Sequence, residues 1–280
     1  MNTKGNTKEN EDVLVNLDID NHIGTLQLNR PTKLNALRYK TLNCLEENLK
    51  LLINDDRIKL IIISGAGESF CSGVDVEELA GGKNWGPHKW SENESIDELR
   101  RRFSQSHRII SMIYRSEKPF IAAIDGIAVG AGLDIACACD IRVSTENARF
   151  RSSYINVGLF PGYGGIWLYQ RLIGYAKASE LVFTGRWMDS SEALDLGLLN
   201  HVYNKDVFLD KLNELSLDIS LSAPIPLRLS KMLMRDSANI DFESSLRMAA
   251  TAEAITLASE DHKEAMESFR LKRQPRFKGK

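Results

Sequence analysis

The sequence predicts an α/β protein with a strand-rich N-terminal body, interleaved helices and a helical C-terminal third, and three observations carry that reading. VLVNLDID and HIGTLQLNR alternate apolar and polar residues, the period of a half-buried strand. KLIIISGAG and PFIAAI are short continuous apolar runs closed by turn residues, as in strands covered on both faces. From Lys177 onward the pattern is nearly all helical, broken by one brief strand-like stretch, LLNHVY. These features divide the chain into a disordered leader (1–11), a core (12–202) and a helical C-terminal region (203–280).

Taken in order, the first two strands form a hairpin about Asp20 and Asn21. RPTKLNAL closes the second strand, with Pro31 stopping the ladder. Leu37, Leu42, Leu45, Leu49 and Leu52 then mark an amphipathic helix. KLIIISGAG is the next strand. In GESFCSGVDVEEL, the small residues Ser72 and Gly73 precede Val74 and an acidic helix start of Asp75, Glu77 and Glu78. Residues from about Gly81 to Glu94 carry Trp85, His88 and Trp90 in a long loop without periodicity, of the kind that serves as a lid. A helix from Ile96 to Arg115 follows, bearing His107 and a basic ridge of Arg100, Arg101, Arg102 and Arg108, a solvated face that could lend a phosphate contact. Phe150 to Ser152 continues the sheet. FPGYGG opens a helix whose Ile166, Leu168 and Leu172 pack inward.

Bulk properties exclude several classes. A formal net charge of −2 at pH 7 and a pI near 6.3 supply no field of one sign, so nucleic acid and anionic membrane are not expected partners. No apolar run approaches the roughly 18 residues of a membrane span. The polar start, MNTKGNTKENED, has no signal-peptide core. Cys44, Cys71, Cys137 and Cys139 fall on segments that read as helix or buried turn, so free thiols and a reducing, cytoplasmic setting are expected. Cys137 and Cys139 lack a second pair of thiols or a nearby His, and no metal is predicted.

The richest stretch is PFIAAIDGIAVGAGLDIACACDIRV, Pro119 to Val143. It reads as strand, glycine turn, short helix and strand. A helix starting near Ala131 presents unpaired N–H groups and the positive end of its dipole, which can stabilise a developing negative charge. Asp134, one turn in, can move a proton beside that charge. The same pattern also suits a buried turn whose Asp134 only caps or pairs. Tyr154 is either a core side chain or a hydrogen-bond donor to a ligand.

Together, RPTKLNAL, FCSGVDVEEL, KPFIAAIDGIAVGAGLDIACACDIRV, NVGLFPGYGG, ELVFTGR, EALDLGLLNHV and EDHKEAMESFRLKRQPRFKGK resemble the crotonase superfamily of enoyl-CoA hydratases and isomerases. The resemblance runs across essentially the whole chain after the leader. It implies a crotonase-type spiral of β-β-α repeats with a helical trimerisation region, assembled as a homo-oligomer, either a trimer or a dimer of trimers. It also implies a thioester enolate held by the backbone N–H groups of Val74 and Ala131. Coenzyme A, part of the substrate and the one cofactor-like group implied, would lie near Lys33, Ser72, Gly73, Val74 and Asp75, and against Phe269 and Lys272 of a neighbouring subunit. Family hydratases carry two glutamates flanking a water; here Asp134 and Tyr154 occupy those positions, and Asp134 also resembles the dienoyl-CoA isomerase branch, whose additional acids fall on Tyr154 and Gly162.

The expected activity is therefore that of an acyl-CoA lyase or isomerase, with hydration and double-bond isomerisation ranked level. Asp134 is the expected acid/base and Tyr154 the orienting donor. Decarboxylation or C–C hydrolysis, action on a carrier-protein thioester, and acyl-CoA binding without turnover are the alternatives. Trp85, Trp90, Phe160, Tyr163 and Trp167 are candidates to shape the acyl pocket.

Overall fold

The computed structural model describes residues 11–79 and 95–280. Trp85, His88 and Trp90 lie outside the described residues, as do the side chains of Glu78 and Arg102. Glu11, assigned to the leader, is already held, since Asn29 Nδ2 donates to its carbonyl at 3.0 Å.

The chain runs β1 (Val13–Asp18), β2 (Ile23–Leu28), α1 (Tyr39–Asn54), β3 (Leu60–Gly65), β4 (Ser69–Cys71), α2 (Val76–Leu79), α3 (Ile96–Arg102) and α4 (Ser104–Arg115). It continues through β5 (Phe120–Ile124), β6 (Ile127–Val129), α5 (Ala131–Ala138), β7 (Ile141–Thr145), β8 (Arg149–Arg151), α6 (Gly165–Thr184), β9 (Trp187–Asp189), α7 (Ser190–Asp195) and β10 (His201–Tyr203). Helices α8 (Lys205–Ser220), α9 (Pro224–Ser237), α10 (Phe242–Ala258) and α11 (Glu260–Leu271) complete it.

Two sheets alternate along the sequence. The larger has the order β1-β2-β3-β5-β7-β10 and the smaller β4-β6-β8-β9. Each of the strand pairs β3/β4, β5/β6 and β7/β8 places its first member in the large sheet and its second in the small one, and helix follows. This is the expected β-β-α spiral. All pairings from β2 to β10 across the large sheet are parallel; β1–β2 is the antiparallel hairpin, and Asp20 and Asn21 lie in its turn.

The continuous apolar runs are explained by burial on both faces. Ile61, Ile63, Phe120, Ala122 and Ile124 point toward the small sheet and meet Phe70, Ala128 and Phe150, while Leu60, Ile62, Ile121 and Val143 pack on the other side beneath Phe208 of α8. Each of the larger side chains among them contributes roughly 1.5 to 3 kcal/mol on burial.

Five local expectations are corrected. Helix α1 starts at Tyr39, and Leu37 instead forms a bridge with Val74. The single helix expected over Ile96 to Arg115 is two, broken at Phe103, whose ring stacks on His107. β8 belongs to the second sheet rather than continuing the first. Ile166 is 46% exposed, because α6 turns that side outward, while Leu168 is buried. Cys71 ends a strand, where burial pushes its thiol up to about 12.

Candidate active site

β4, β6 and β8 are parallel neighbours, so their carboxyl ends open on the same side of the small sheet. Open α/β sheets bind ligands at that edge. The residues emerging there are Ser72 to Asp75, then Gly130 and Ala131, then Ser152 to Tyr154. Strand order thus gathers three sequence-distant predictions, Val74, Ala131 and Tyr154, at one place.

Both predicted amides are available. Ala131 is the first residue of α5, where no intrahelical carbonyl awaits its N–H; Gly130 N donates instead to Arg151 O at 2.9 Å, and the first helical bond runs from Asp134 N to Gly130 O at 3.0 Å. Beside it, Leu37 N donates to Gly73 O at 2.8 Å and Asp75 N to Leu37 O at 2.9 Å, so the intervening Val74 N–H points the opposite way. The two turns touch: a Cβ on Gly73 would stand 2.9 Å from Val129 O and 3.6 Å from Ala131 N. Gly73 (φ 94) and Gly130 (φ 52) also hold left-handed backbone, which a side chain would strain.

RPTKLNAL braces this turn. Arg30 Nη1 donates to Ala36 O at 2.6 Å and pairs with Asp75 at 2.8 Å. Asn35 is itself left-handed (φ 56); its amide reaches Ala66 O at 2.9 Å and Ser69 O at 2.6 Å while its Oδ1 accepts from Arg30 N at 2.8 Å. Two preorganised amides of this kind suit an oxyanion, and losing one donor typically costs about 3 to 4 kcal/mol of transition-state stabilisation.

Asp134 does not face the opening directly. Its side chain is 0% exposed, with Tyr154 donating to Oδ2 at 2.6 Å and Tyr169 donating to Oδ1. Burial raises its carboxyl to about 6, against the pull of both phenols and of the Gly165 and Tyr163 backbone. Burial and the adjacent carboxylate push both phenols well above the usual tyrosine range.

In front of Tyr154 lies a cavity of about 400 Å³, lined by Val74, Phe103, His107, Leu159, Phe160 and Tyr163 among others. A second, of about 590 Å³, lies along Tyr114, Phe160, Tyr163 and Trp167. Of the expected pocket aromatics, Phe160, Tyr163 and Trp167 therefore line cavities. His107 Nε2 lies 2.8 Å from Gly162 O, tying α4 to the turn before α6.

The remaining predicted groups are placed as follows. Lys33 Nζ pairs with Glu77 at 2.8 Å, and Ser72 Oγ lies 3.5 Å from Lys33 O. Asp75's carboxylate is taken up by Arg30, so its contribution is to hold the turn. Phe269, 85% exposed, and Lys272 lie at the end of α11. Among the arginines, Arg108 is engaged by Glu46 and Arg100 by Asp97. Tyr169 was missed: a tyrosine among apolar residues on a helix reads as core, and the signal available was the need of a buried Asp134 for donors. The four cysteines are free, and no described group of three or more His, Cys, Asp or Glu could hold a metal.

A spiral of β-β-α turns that sets two free backbone amides near a buried carboxyl is an arrangement able to hold an oxyanion beside a group that can move a proton. The chain belongs to the enoyl-CoA hydratase/isomerase family, whose model matches residues 18–280. It is 32% identical over 260 residues to the short-chain-enoyl-CoA hydratase of Clostridium acetobutylicum, covering 92% of this chain and 95% of that one. It is also 32% identical over 265 residues to the peroxisomal Delta(3,5)-Delta(2,4)-dienoyl-CoA isomerase of Arabidopsis thaliana, covering 94% and 95%. The crystal structure of an enoyl-CoA hydratase from Bacillus anthracis superposes with a TM-score of 0.86 at 29% identity, over 96% of this chain and 100% of that one. The protein is thus a crotonase-type enzyme of acyl-CoA hydratase/isomerase chemistry.

Proposed function

We infer that the reaction is a double-bond shift in an enoyl-CoA thioester, with the oxyanion held by Val74 N–H and Ala131 N–H and the proton handled by Asp134 and Tyr154. The observation that carries this reading is the state of the carboxyl. Hydration is helped by two acid/base groups holding a water between them, whereas a 1,3-proton shift needs one. Here a single carboxyl, Asp134, stands behind Tyr154 and sealed from solvent, and no carboxylate lines the cavity among the described residues. The two relatives divide between hydratase and dienoyl-CoA isomerase at equal identity, so geometry supplies the preference.

Coenzyme A would run past the Ser72–Asp75 turn, with Lys33 exchanging Glu77 for a phosphate. A neighbouring subunit's Phe269 and Lys272 would close it. Assembly as a trimer or a dimer of trimers is supported by Phe242, Leu246, Ile255, Leu257, Met266 and Phe269, large apolar side chains left exposed on α10 and α11. The free thiols support a reducing compartment such as the cytoplasm.

The test is mass spectrometry of the protein incubated in deuterium oxide with crotonyl-CoA, a 3-enoyl-CoA, a dienoyl-CoA and methylmalonyl-CoA. Deuterium entering an isomer of unchanged composition is expected. Gain of one water, with no isomer formed, would replace this reading with hydration, and loss of carbon dioxide would replace it with decarboxylation.

A further inference from the structure

We propose that Tyr154 is the group that exchanges a proton with the substrate carbon, that Asp134 behind it takes up and returns the proton through the phenol, and that Tyr169 is the positioning residue of this relay. The proposal rests on the double-bond-shift reading and deepens it by reassigning the roles expected from sequence.

Placement comes first. Tyr154 lines the cavity beside Val74, and Asp134 does not. Tyr154 is thus a side chain that both lines the cavity and hydrogen-bonds the carboxyl. The phenol already donates to Oδ2 at 2.6 Å, so the second half of the path is formed.

Engagement of the carboxylate comes second. An ionised carboxylate offers about four acceptor positions. Here Tyr154 takes Oδ2 and Tyr169 takes Oδ1, and the Gly165 and Tyr163 backbone adds a favourable field for the ionised form. Each oxygen is thus turned to a phenol rather than to the cavity. The glycine at 165 permits this crowding, since a Cβ there would lie 2.3 Å from Oδ1.

The step balances without a further reactant. The C–H proton of the thioester moves to Tyr154 Oη as the phenolic proton moves to Asp134 Oδ2. The C–H electron pair enters the enolate, whose oxygen the Val74 and Ala131 N–H groups hold. On return, Asp134 restores its proton to the phenol as the phenol delivers one to the carbon at the other end of the conjugated system. Alone, a phenol above the usual tyrosine range is a poor base at neutral pH. Concerted transfer removes the difficulty, because no free phenolate forms.

Uptake requires Asp134 to be ionised, so activity should rise with pH through about 6. The groups facing it are Tyr154 from the Ser153–Val157 turn, Tyr169 and the Tyr163 and Gly165 amides at the start of α6, and Cys137 further along α5; Cys71 of β4 faces Tyr154. Tyr169 donates to the ionised form. Its removal therefore raises the carboxyl and moves the acid limb of kcat/KM upward, on the order of one pH unit.

The experiment compares wild type with Tyr154→Phe, Asp134→Asn, their double variant and Tyr169→Phe on a 3-enoyl-CoA in deuterium oxide, with butyryl-CoA affinity as the check on the binding site. The relay predicts a loss of at least about 100-fold in kcat for Tyr154→Phe and for Asp134→Asn, nearly unchanged KM and butyryl-CoA affinity, and a double variant no worse than either. It predicts a shifted acid limb in Tyr169→Phe. Wild-type kcat in Tyr154→Phe with an inactive Asp134→Asn would overturn the relay while leaving the isomerase reading intact. Loss of butyryl-CoA affinity in Tyr154→Phe would also overturn it, by making the tyrosine a wall of the binding site. An unmoved acid limb would remove Tyr169 from it. Wild-type protein that adds water and never isomerises would overturn the reading and the relay together.

Discussion

Replacing Gly165 with alanine should separate catalysis from stability at this site. Gly165 is the first residue of α6, where alanine is a better helix former than glycine by at most about 1 kcal/mol, so propensity alone mildly favours the change. Space does not. The added Cβ would lie 2.3 Å from Asp134 Oδ1, 2.7 Å from Tyr169 Cζ and 2.8 Å from Tyr169 Oη. An ordinary contact is 3.4 Å or more, so the carboxyl oxygen must retreat by about 1 Å and the ring by roughly 0.6 to 0.7 Å in a fully buried setting. Overpacking of this kind costs roughly 1 to 3 kcal/mol. Offset by propensity, the net destabilisation should be about 1 kcal/mol, a shift of a few degrees in Tm. Catalysis should suffer far more, because displacing a reacting group by about 1 Å can cost on the order of 100-fold in rate. Differential scanning calorimetry and kcat on a 3-enoyl-CoA measure both. Gly174→Ala, where nothing stands within 4 Å of the new Cβ but φ is 74, is the control: strain without loss of rate. Near-wild-type kcat in Gly165→Ala would refute the assignment of Asp134 and Tyr169 to the reaction.

Asn35→Ala removes three hydrogen bonds, one buried and two partly buried, and leaves a left-handed alanine, which should cost about 3 kcal/mol or more and lower Tm by on the order of 10 °C; a fall under about 2 °C would contradict the brace. Arg30→Met leaves the carboxylate of Asp75, 7% exposed, without its cation, so a loss of roughly 3 to 5 kcal/mol is expected in urea titration, with weaker acyl-CoA binding as the Val74 turn loosens. Glu46 is held at about 2, first by Arg108. Because its folded value is depressed, its contribution is full above the unfolded value near 4.3 and is lost as pH falls toward 2. The urea midpoints of wild type and Glu46→Gln should therefore converge between pH 5 and pH 2, and a gap that stays constant would disprove the linkage.

Much of this architecture can be read from local pattern. The hairpin about Asp20 and Asn21, the doubly buried β3 and β5, and the helix beginning at Ala131 each follow from spacing and from turn residues over a few positions. The site is legible in part. Asp134 and Ala131 sit in one stretch, and Tyr154 is 20 residues from Asp134. By contrast, RPTKLNAL reads locally as the closing of a strand, because nothing within it shows that Arg30 meets Asp75 45 residues later.

The sequence by itself determined most of the elements, their order and the residue types able to hold an oxyanion and move a proton, since periodicity, glycine placement and helix dipoles are local properties. Only the tertiary structure decided which of these meet. Parallel pairing of β4, β6 and β8 brings Val74, Ala131 and Tyr154 to one edge, and the packing of α6 on α5 brings Tyr169 to Asp134 across 35 residues. That packing also sets the roles. Burial depth and the count of donors depend on every neighbouring element at once, and they seal the carboxyl and turn the phenol toward the cavity.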